Sequence, residues 1–362
     1  MLFFYLFLLS AAASFLLTPL TIHFAKRLGF VDLPSRPHPA ILHDKPIPRA
    51  GGLPVLVAIL SALAILLFLG IIPLSKGFAG IVLAGLLVVG VGLIDDKYDL
   101  NPYIRLGTNV LAVCLVVGAG IGIASFTNPL GGQFFLDTWR VQFSLPEGLP
   151  LAGPHSILVW ADLFALFWIV WIMNALNWSS GVDGQISGIA VIGFTILGLV
   201  SLRNLATDPL QLVPACLAFS SAGAYFGFLP FSFYPQKIMP GYGGSTLAGF
   251  LLATLSILSG AKLATAVLVL AVPLVDGLWA IIRRLIRGRS PVWGDKGHLH
   301  HQLLARGWSI PKIALFYYLI SLFLGLAALE LDSQGKLFAI VMVVVVILGL
   351  LITIGRQSYE KG

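Results

Sequence analysis

The stretch FALFWIVWIMNALNWSSGVDGQISGIAVIGFTILGLV, residues 164–200, decides how the chain is read. Two apolar runs, each fit for the middle of a bilayer, enclose a polar insert, NALNWSSGVDGQISG (174–188), with two Asn, a lone Asp and several Gly. A bare connecting turn does not need those groups. Polar residues this close to a membrane are costly and mark function, so the insert is read as one wall of a site.

Working outward, the same alternation covers the chain. Its 362 residues are 58% hydrophobic and 10% charged, with a mean hydropathy of +0.96, which excludes a soluble domain. A bilayer core takes roughly 20 apolar residues as a helix. On that rule the sequence predicts an all-α integral membrane protein, one polytopic domain over 1–362, with about eleven transmembrane helices. They centre near residues 10, 62, 86, 115, 166, 195, 220, 252, 272, 321 and 345.

The first apolar run has no basic segment before it and is followed by Lys26 and Arg27. That order predicts a retained helix with its N-terminus outside and, after eleven spans, a cytoplasmic C-terminus. Of the 22 Lys and Arg, 17 then fall in cytoplasmic segments and 5 outside. The net charge of +7 is accounted for by that bias, and no nucleic-acid partner is implied. Cys114 and Cys216 lie inside apolar runs and suggest neither a disulfide nor a metal framework. The one long external segment, 125–157, has the alternation QFFLDTWRVQFSL between Gly and Pro, which predicts a small β-hairpin.

Five polar segments fall on the cytoplasmic side, which predicts one shared site there. GLIDDKYDL places Asp95 and Asp96 at the inner end of the third span, a pair suited to a hard divalent ion or to a solvated helix end. HDKPIPRAGG (43–52) joins Lys45 and Arg49 to a double glycine at a helix start, where free amides suit a phosphate. PGYGGS (240–245) opens another span, its glycines allowing either close approach of a ligand or a tight turn. The His/Arg-rich loop, 283–312, supplies Arg289, His298, His300 and His301, a set that fits phosphate oxygens better than a transition metal.

In this order the segments resemble the polyprenyl-phosphate N-acetylhexosamine-1-phosphate transferases. The resemblance rests on GLIDDKYDL, the NAxNxxxGxDG pattern in NALNWSSGVDG, LPFSFYPQKI (229–238), PLVD (273–276) and DKGHLHH, and it runs nearly the whole chain. The HxHH form points to the branch using UDP-N-acetylglucosamine or a related UDP-sugar. The resemblance implies transfer of a sugar-1-phosphate from a UDP-sugar to a polyprenyl phosphate such as undecaprenyl phosphate, with release of UMP. It implies a multi-pass cell-membrane enzyme at the first step of lipid-linked glycan synthesis, often a homodimer, with Mg²⁺ or Mn²⁺ as cofactor.

By the same resemblance, Asp95, Asp96 and Asn177 hold the metal, with Asp95 or Asp96 the base or nucleophile and His298 also catalytic. Lys45, Arg49, Asp183, Arg289, His300 and His301 bind substrate. Two positions depart from the pattern: Ser180 stands where bacterial members have Asp, and Tyr242 replaces an Asp regarded as a Mg²⁺ ligand. The alternative expectation is a non-catalytic relative that binds lipid phosphate or nucleotide as a scaffold; a transporter reading rests on the number of spans alone.

Overall fold

A computed structural model describes residues 1–35, 43–129, 131–145, 153–260, 262–294 and 297–359. The described chain is helical with short strands. In order, α1 (Leu2–Leu28) leads to β1 (Val31–Asp32) and β2 (Ile47–Pro48), then to α2 (Gly52–Phe68), α3 (Lys76–Tyr98) and α4 (Pro102–Gly118). The strands β3 (Ser125–Thr127), β4 (Gln133–Phe135), β5 (Arg140–Leu145) and β6 (Gly153–Leu158) precede α5 (Val159–Trp178) and α6 (Gln185–Leu205). The chain continues through α7 (Leu212–Ser232), α8 (Gly241–Leu258), α9 (Leu263–Val269), α10 (Ala271–Ile286), α11 (Leu299–Leu304), α12 (Ile310–Glu330) and α13 (Ser333–Tyr359).

The apolar runs counted in the sequence are helical, the one near residue 272 being broken at Leu270 into α9 and α10. Among the described residues, eight helices are long and apolar enough to cross a membrane, or nine with α9 and α10 taken as one span bent by 84°. α2 and α4 are apolar but shorter, at 17 residues each. The segment 125–157 departs from the expected single hairpin. β3 pairs antiparallel with β4, and β5 with β6. The alternating stretch is therefore split, its first part pairing backwards and its second forwards. The segment 283–312 is also less of a loop than its composition suggests, since it holds the end of α10, all of α11 and the start of α12.

Small residues set how closely the helices pack. Gly223 and Gly227, four apart on α7, lie against the carbonyls of Phe7 and Ala11 of α1. Without a hydrophobic drive between helices in lipid, such backbone approach supplies the packing. The more consequential junction lies at one end of the bundle. A Cβ on Gly52 would meet Gly244 N at 2.6 Å, and one on Gly92 would overlap Gly243 Cα. The ends of α2, α3 and α8 thus meet backbone to backbone, and this junction positions the polar residues around it.

Candidate active site

The glycine junction explains two motifs differently from the sequence. Gly51 N donates to Met239 O (3.1 Å) and Gly52 N to Pro240 O (3.0 Å). Those amides, read as a phosphate cradle, are already satisfied by the chain. PGYGGS likewise uses Gly243 and Gly244 to admit helices. Gly241 has φ of 68°, and a side chain there would also strike the Asp96 carboxylate. Only glycine meets both conditions.

Asp96 fills that space. Its Oδ1 accepts from Tyr242 N (2.9 Å), at the first turn of α8, and lies 3.3 Å from Arg49 Nε. The carboxylate of α3 therefore caps α8 in trans, where the helix dipole favours an anion. Arg49 reaches on to Asp32 Oδ1 at 3.5 Å, and His43 Nε2 lies 3.1 Å from Asp32 Oδ2. β1 and β2 hold this cluster by pairing Asp32 with Ile47, and Arg49 bridges in parallel to Met239.

Next to this cap opens a cavity of about 790 Å³, within the size range of small-molecule sites. It brings together Asp95, Arg49, Asn177, Ser180, Asp183 and all three of His298, His300 and His301. Asp96 stands behind this wall and does not line it. Lys45 and Arg289 are exposed and lie outside the lining, although His43 and Val292, close to them in the chain, belong to it.

Asp95 is fully buried, and its Oδ1 accepts from Arg105 Nε (2.5 Å) and Leu100 N (3.0 Å). Arg105 also donates to Asp99 Oδ1 from Nη2. Asp95 Oδ2 is buried without a hydrogen-bond partner. Tyr242 does not point its phenol at this carboxylate. The single hydroxyl proton is shared between Asn109 Oδ1 (2.9 Å) and Arg105 O (3.1 Å), and the ring centroid lies 5.6 Å from the Arg105 guanidinium.

On the polar insert, Ser180 Oγ accepts from Ser245 Oγ of α8 at 3.0 Å, so an uncharged residue ties the insert to the glycine helix. Asp183 Oδ2 accepts from Gln236 N (3.1 Å). Burial raises the Asp183 carboxyl above its usual value, offset in part by that amide and by His43. Gly181 lies directly against the His300 ring, leaving no room for a side chain.

The histidines are not equivalent. His298 Nδ1 lies 2.8 Å from Asp276 Oδ2, and Asp276 Oδ1 accepts from Leu299 N (2.9 Å). On the other edge, Arg284 Nη2 is 3.3 Å from His298 Nε2. A guanidinium only donates, so Nε2 accepts and Nδ1 carries the proton given to Asp276. Both ring nitrogens of His298 are thus engaged within the protein. His300 stacks on His298 with centroids 5.7 Å apart, and its ring meets His301 at 4.3 Å with the planes tilted by 48°. Burial, with His301 and His298 beside it, holds His300 well below the usual imidazole value.

A shared cation fits these donors, whereas a protein-only cage does not. No group of three or more His, Cys, Asp or Glu among the described residues is arranged to hold a metal ion. Mg²⁺, however, is usually held by one or two carboxylates with substrate phosphates and water. The orphaned Asp95 Oδ2 and the cavity-lining Asn177 suit that arrangement.

Residues 78–260, about half of the chain, match the sequence profile of Glycosyl transferase family 4. The chain belongs to this family. Among the proteins similar to it is the "probable undecaprenyl-phosphate N-acetylglucosaminyl 1-phosphate transferase" of Bacillus subtilis (strain 168), 28% identical over 94% of this chain and 88% of the relative. The "decaprenyl-phosphate N-acetylglucosaminephosphotransferase" of Mycolicibacterium smegmatis is 31% identical over 91% of this chain and 82% of its own length. A "phospho-N-acetylmuramoyl-pentapeptide-transferase" of Staphylococcus aureus (strain MW2) is 27% identical over 89% and 97%.

Asp32, His43 and Arg105 were missed by the sequence reading. The first two had no spacing to single them out, and Arg105 stood near the aspartates but one helix further on. The DKGHLHH motif is described from Gly297 onward; its Asp295 and Lys296 lie outside the described residues.

Proposed function

We propose that this family 4 chain transfers a sugar-1-phosphate, N-acetylglucosamine-1-phosphate or a close N-acetylhexosamine relative, from a UDP-sugar to a polyprenyl phosphate. The observation that carries this is the composition of one cavity wall. Arg49, Arg105 and the histidine row face the same space as Asp95, Asn177 and Asp183. Cations and donors are thus available for two phosphates beside carboxylates for a metal. The names of the relatives support the acceptor and the sugar.

In this reaction an oxygen of the lipid phosphate bonds to the β-phosphorus of the UDP-sugar. The bond from that phosphorus to the bridging oxygen breaks, and UMP leaves with the electron pair. The acceptor phosphate is already largely ionised near neutral pH, its second pKa being roughly 6, so a strong base is not required. Arg49 and Arg105 would neutralise the converging phosphates, and His301 and the neutral His300 would orient them. His298, held by Asp276 and Arg284, would fix the row rather than move a proton. Mg²⁺ or Mn²⁺, held by Asp95 Oδ2 and Asn177 with the substrate's diphosphate, would stabilise charge developing on the phosphoryl oxygens. Asp96 would act through the trans-cap and Arg49. Lys45 and Arg289, on long exposed side chains, would serve as outer phosphate contacts.

The acceptor's chain needs a way in from the lipid. On α10, Leu278, Ile282, Leu285 and Ile286 form an exposed apolar stripe, while Asp276 and Arg284 are buried on the other side near His298. That division suits a prenyl chain in lipid and a phosphate in the cavity. We place the cavity on the cytoplasmic face of the cell membrane, with eleven spans, the N-terminus outside and the C-terminus inside, on the distribution of Lys and Arg; a homodimer is the proposed assembly. The scaffold alternative has no observation of its own.

The test is direct. Purified protein with undecaprenyl phosphate and UDP-N-acetylglucosamine should release UMP and stop with EDTA. Absence of UMP from a panel of UDP-sugars, with a control enzyme active, would sink the reading.

A further inference from the structure

We propose that Tyr242 is a positioning residue that seats the Arg105 guanidinium against Asp95, leaving its remaining donors to meet a phosphate oxygen in the cavity. The inference rests on the reading that phosphates enter this cavity.

Tyr242 touches the α3–α4–α8 corner in three ways. Its backbone N–H is held by Asp96. Its hydroxyl bonds to the Arg105 carbonyl and to Asn109, one turn further along α4. Its ring lies against the guanidinium of the same Arg105. One side chain thus fixes both the backbone and the head group of Arg105. Arg105 offers five N–H donors in a rigid fork, and its bonds to Asp95 and Asp99 use two. The side chain also lines the cavity.

Charge gives the arrangement its consequence. Four carboxylates, Asp32, Asp95, Asp96 and Asp99, here pair with two guanidiniums, Arg49 and Arg105. An aspartate at 242 would add a fifth carboxylate where a neutral phenol now lies. The phenol therefore makes the corner more receptive to an incoming anion and supplies an apolar face on which a guanidinium rests well.

The phosphate can belong to the lipid or to the nucleotide. Affinities of the full-length protein for undecaprenyl phosphate and for UMP should be measured separately, for the parent and for Tyr242→Phe, Tyr242→Leu, Arg105→Ala and Tyr242→Leu/Arg105→Ala. Arg105→Ala should weaken one or both ligands by roughly tenfold or more, and Tyr242→Phe by a few-fold. Tyr242→Leu should cost nothing further once Arg105 is gone, because both changes remove one seated charge. A loss in one arm alone supports the proposal and assigns the source of the phosphate. Parent-like binding by Tyr242→Phe, losses that multiply in the double variant, or no binding of either probe to the parent would overturn it. Failure of UMP release with binding intact would instead count against the transferase reading.

Discussion

Asp96 Oδ1 accepts the backbone N–H of Tyr242 at 2.9 Å, across 146 residues of sequence, so that a carboxylate at the end of α3 caps the start of α8. The same oxygen meets Arg49. Asp96→Ala should therefore act first on stability. Removing it leaves Arg49 short of a buried partner and an amide uncapped, at a cost of about 2–4 kcal/mol. Thermal unfolding in detergent should show a clear fall, with Asp96→Asn falling less because an amide oxygen can still cap. Equal, parent-like melting of both would refute the trans-cap.

Tyr242→Asp should lose activity and stability together. The new carboxylate would be buried beside Asp95 and Asp96, and the bonds to Asn109 and Arg105 O would go. Like-charge burial of this kind costs on the order of 2 kcal/mol or more. A large gain in UMP release with added Mg²⁺ would show instead that the position had lost a metal ligand.

Glycines at the helix junction should tolerate nothing. Gly52→Ala and Gly241→Ala should reduce folded yield or melting temperature sharply, since the added Cβ meets backbone or the Asp96 carboxylate. Gly90→Ala, in α3 with open space around it, should be neutral or stabilising by about 0.5–1 kcal/mol. Similar behaviour of the three variants would argue against the junction.

The state of His300 sets a dependence on acid. The unfolded chain takes up a proton near pH 6.5 that the folded protein, with His300 buried between His298 and His301, resists. Stability is then held above about pH 6.5 and falls as the pH drops below it, with a slope of at most about 1.4 kcal/mol per unit for this one group. Asp183 acts in the opposite sense, its raised carboxyl favouring the fold as it gains a proton. Melting temperatures from pH 7.5 to 5.5 should fall for the parent and fall less for His300→Gln. A steeper loss in the variant would contradict the sign.

Asp276→Asn should disturb His298 without touching substrate. The Nδ1 proton loses a charged acceptor, and the ring is freed to turn from Arg284. UMP release should drop by about tenfold or more as the histidine row loses its orientation, with thermal stability changed far less than by Asp96→Ala. An unchanged rate would leave the histidine row without a catalytic part.

The helices were legible because length and hydropathy are local properties, and the grouping of Asp95, Asn177, Asp183 and the histidines followed from shared polarity at span ends. What escaped the sequence depends on partners far apart. Gly52 beside Gly244, or Tyr242 beneath Arg105, leaves no local period, so glycines that admit a helix read like glycines that admit a ligand. The split of 125–157 into two ladders escaped for a similar reason: alternation shows that strands form, but not which way each one pairs. Ser180 is the instructive case. As a missing aspartate it looked like a departure, yet its hydroxyl makes the tie to Ser245 that the fold uses.

The backbone junction of α2, α3 and α8 also bears on how such a protein can change. A junction made of Gly52, Gly92, Gly243 and Gly244 presents almost no side chains for mutation to vary. New donor or acceptor preferences must then arise along the border of the cavity, at positions such as Val182, Gln236 and Trp293. Diversification can proceed there while the foundation stays nearly immutable.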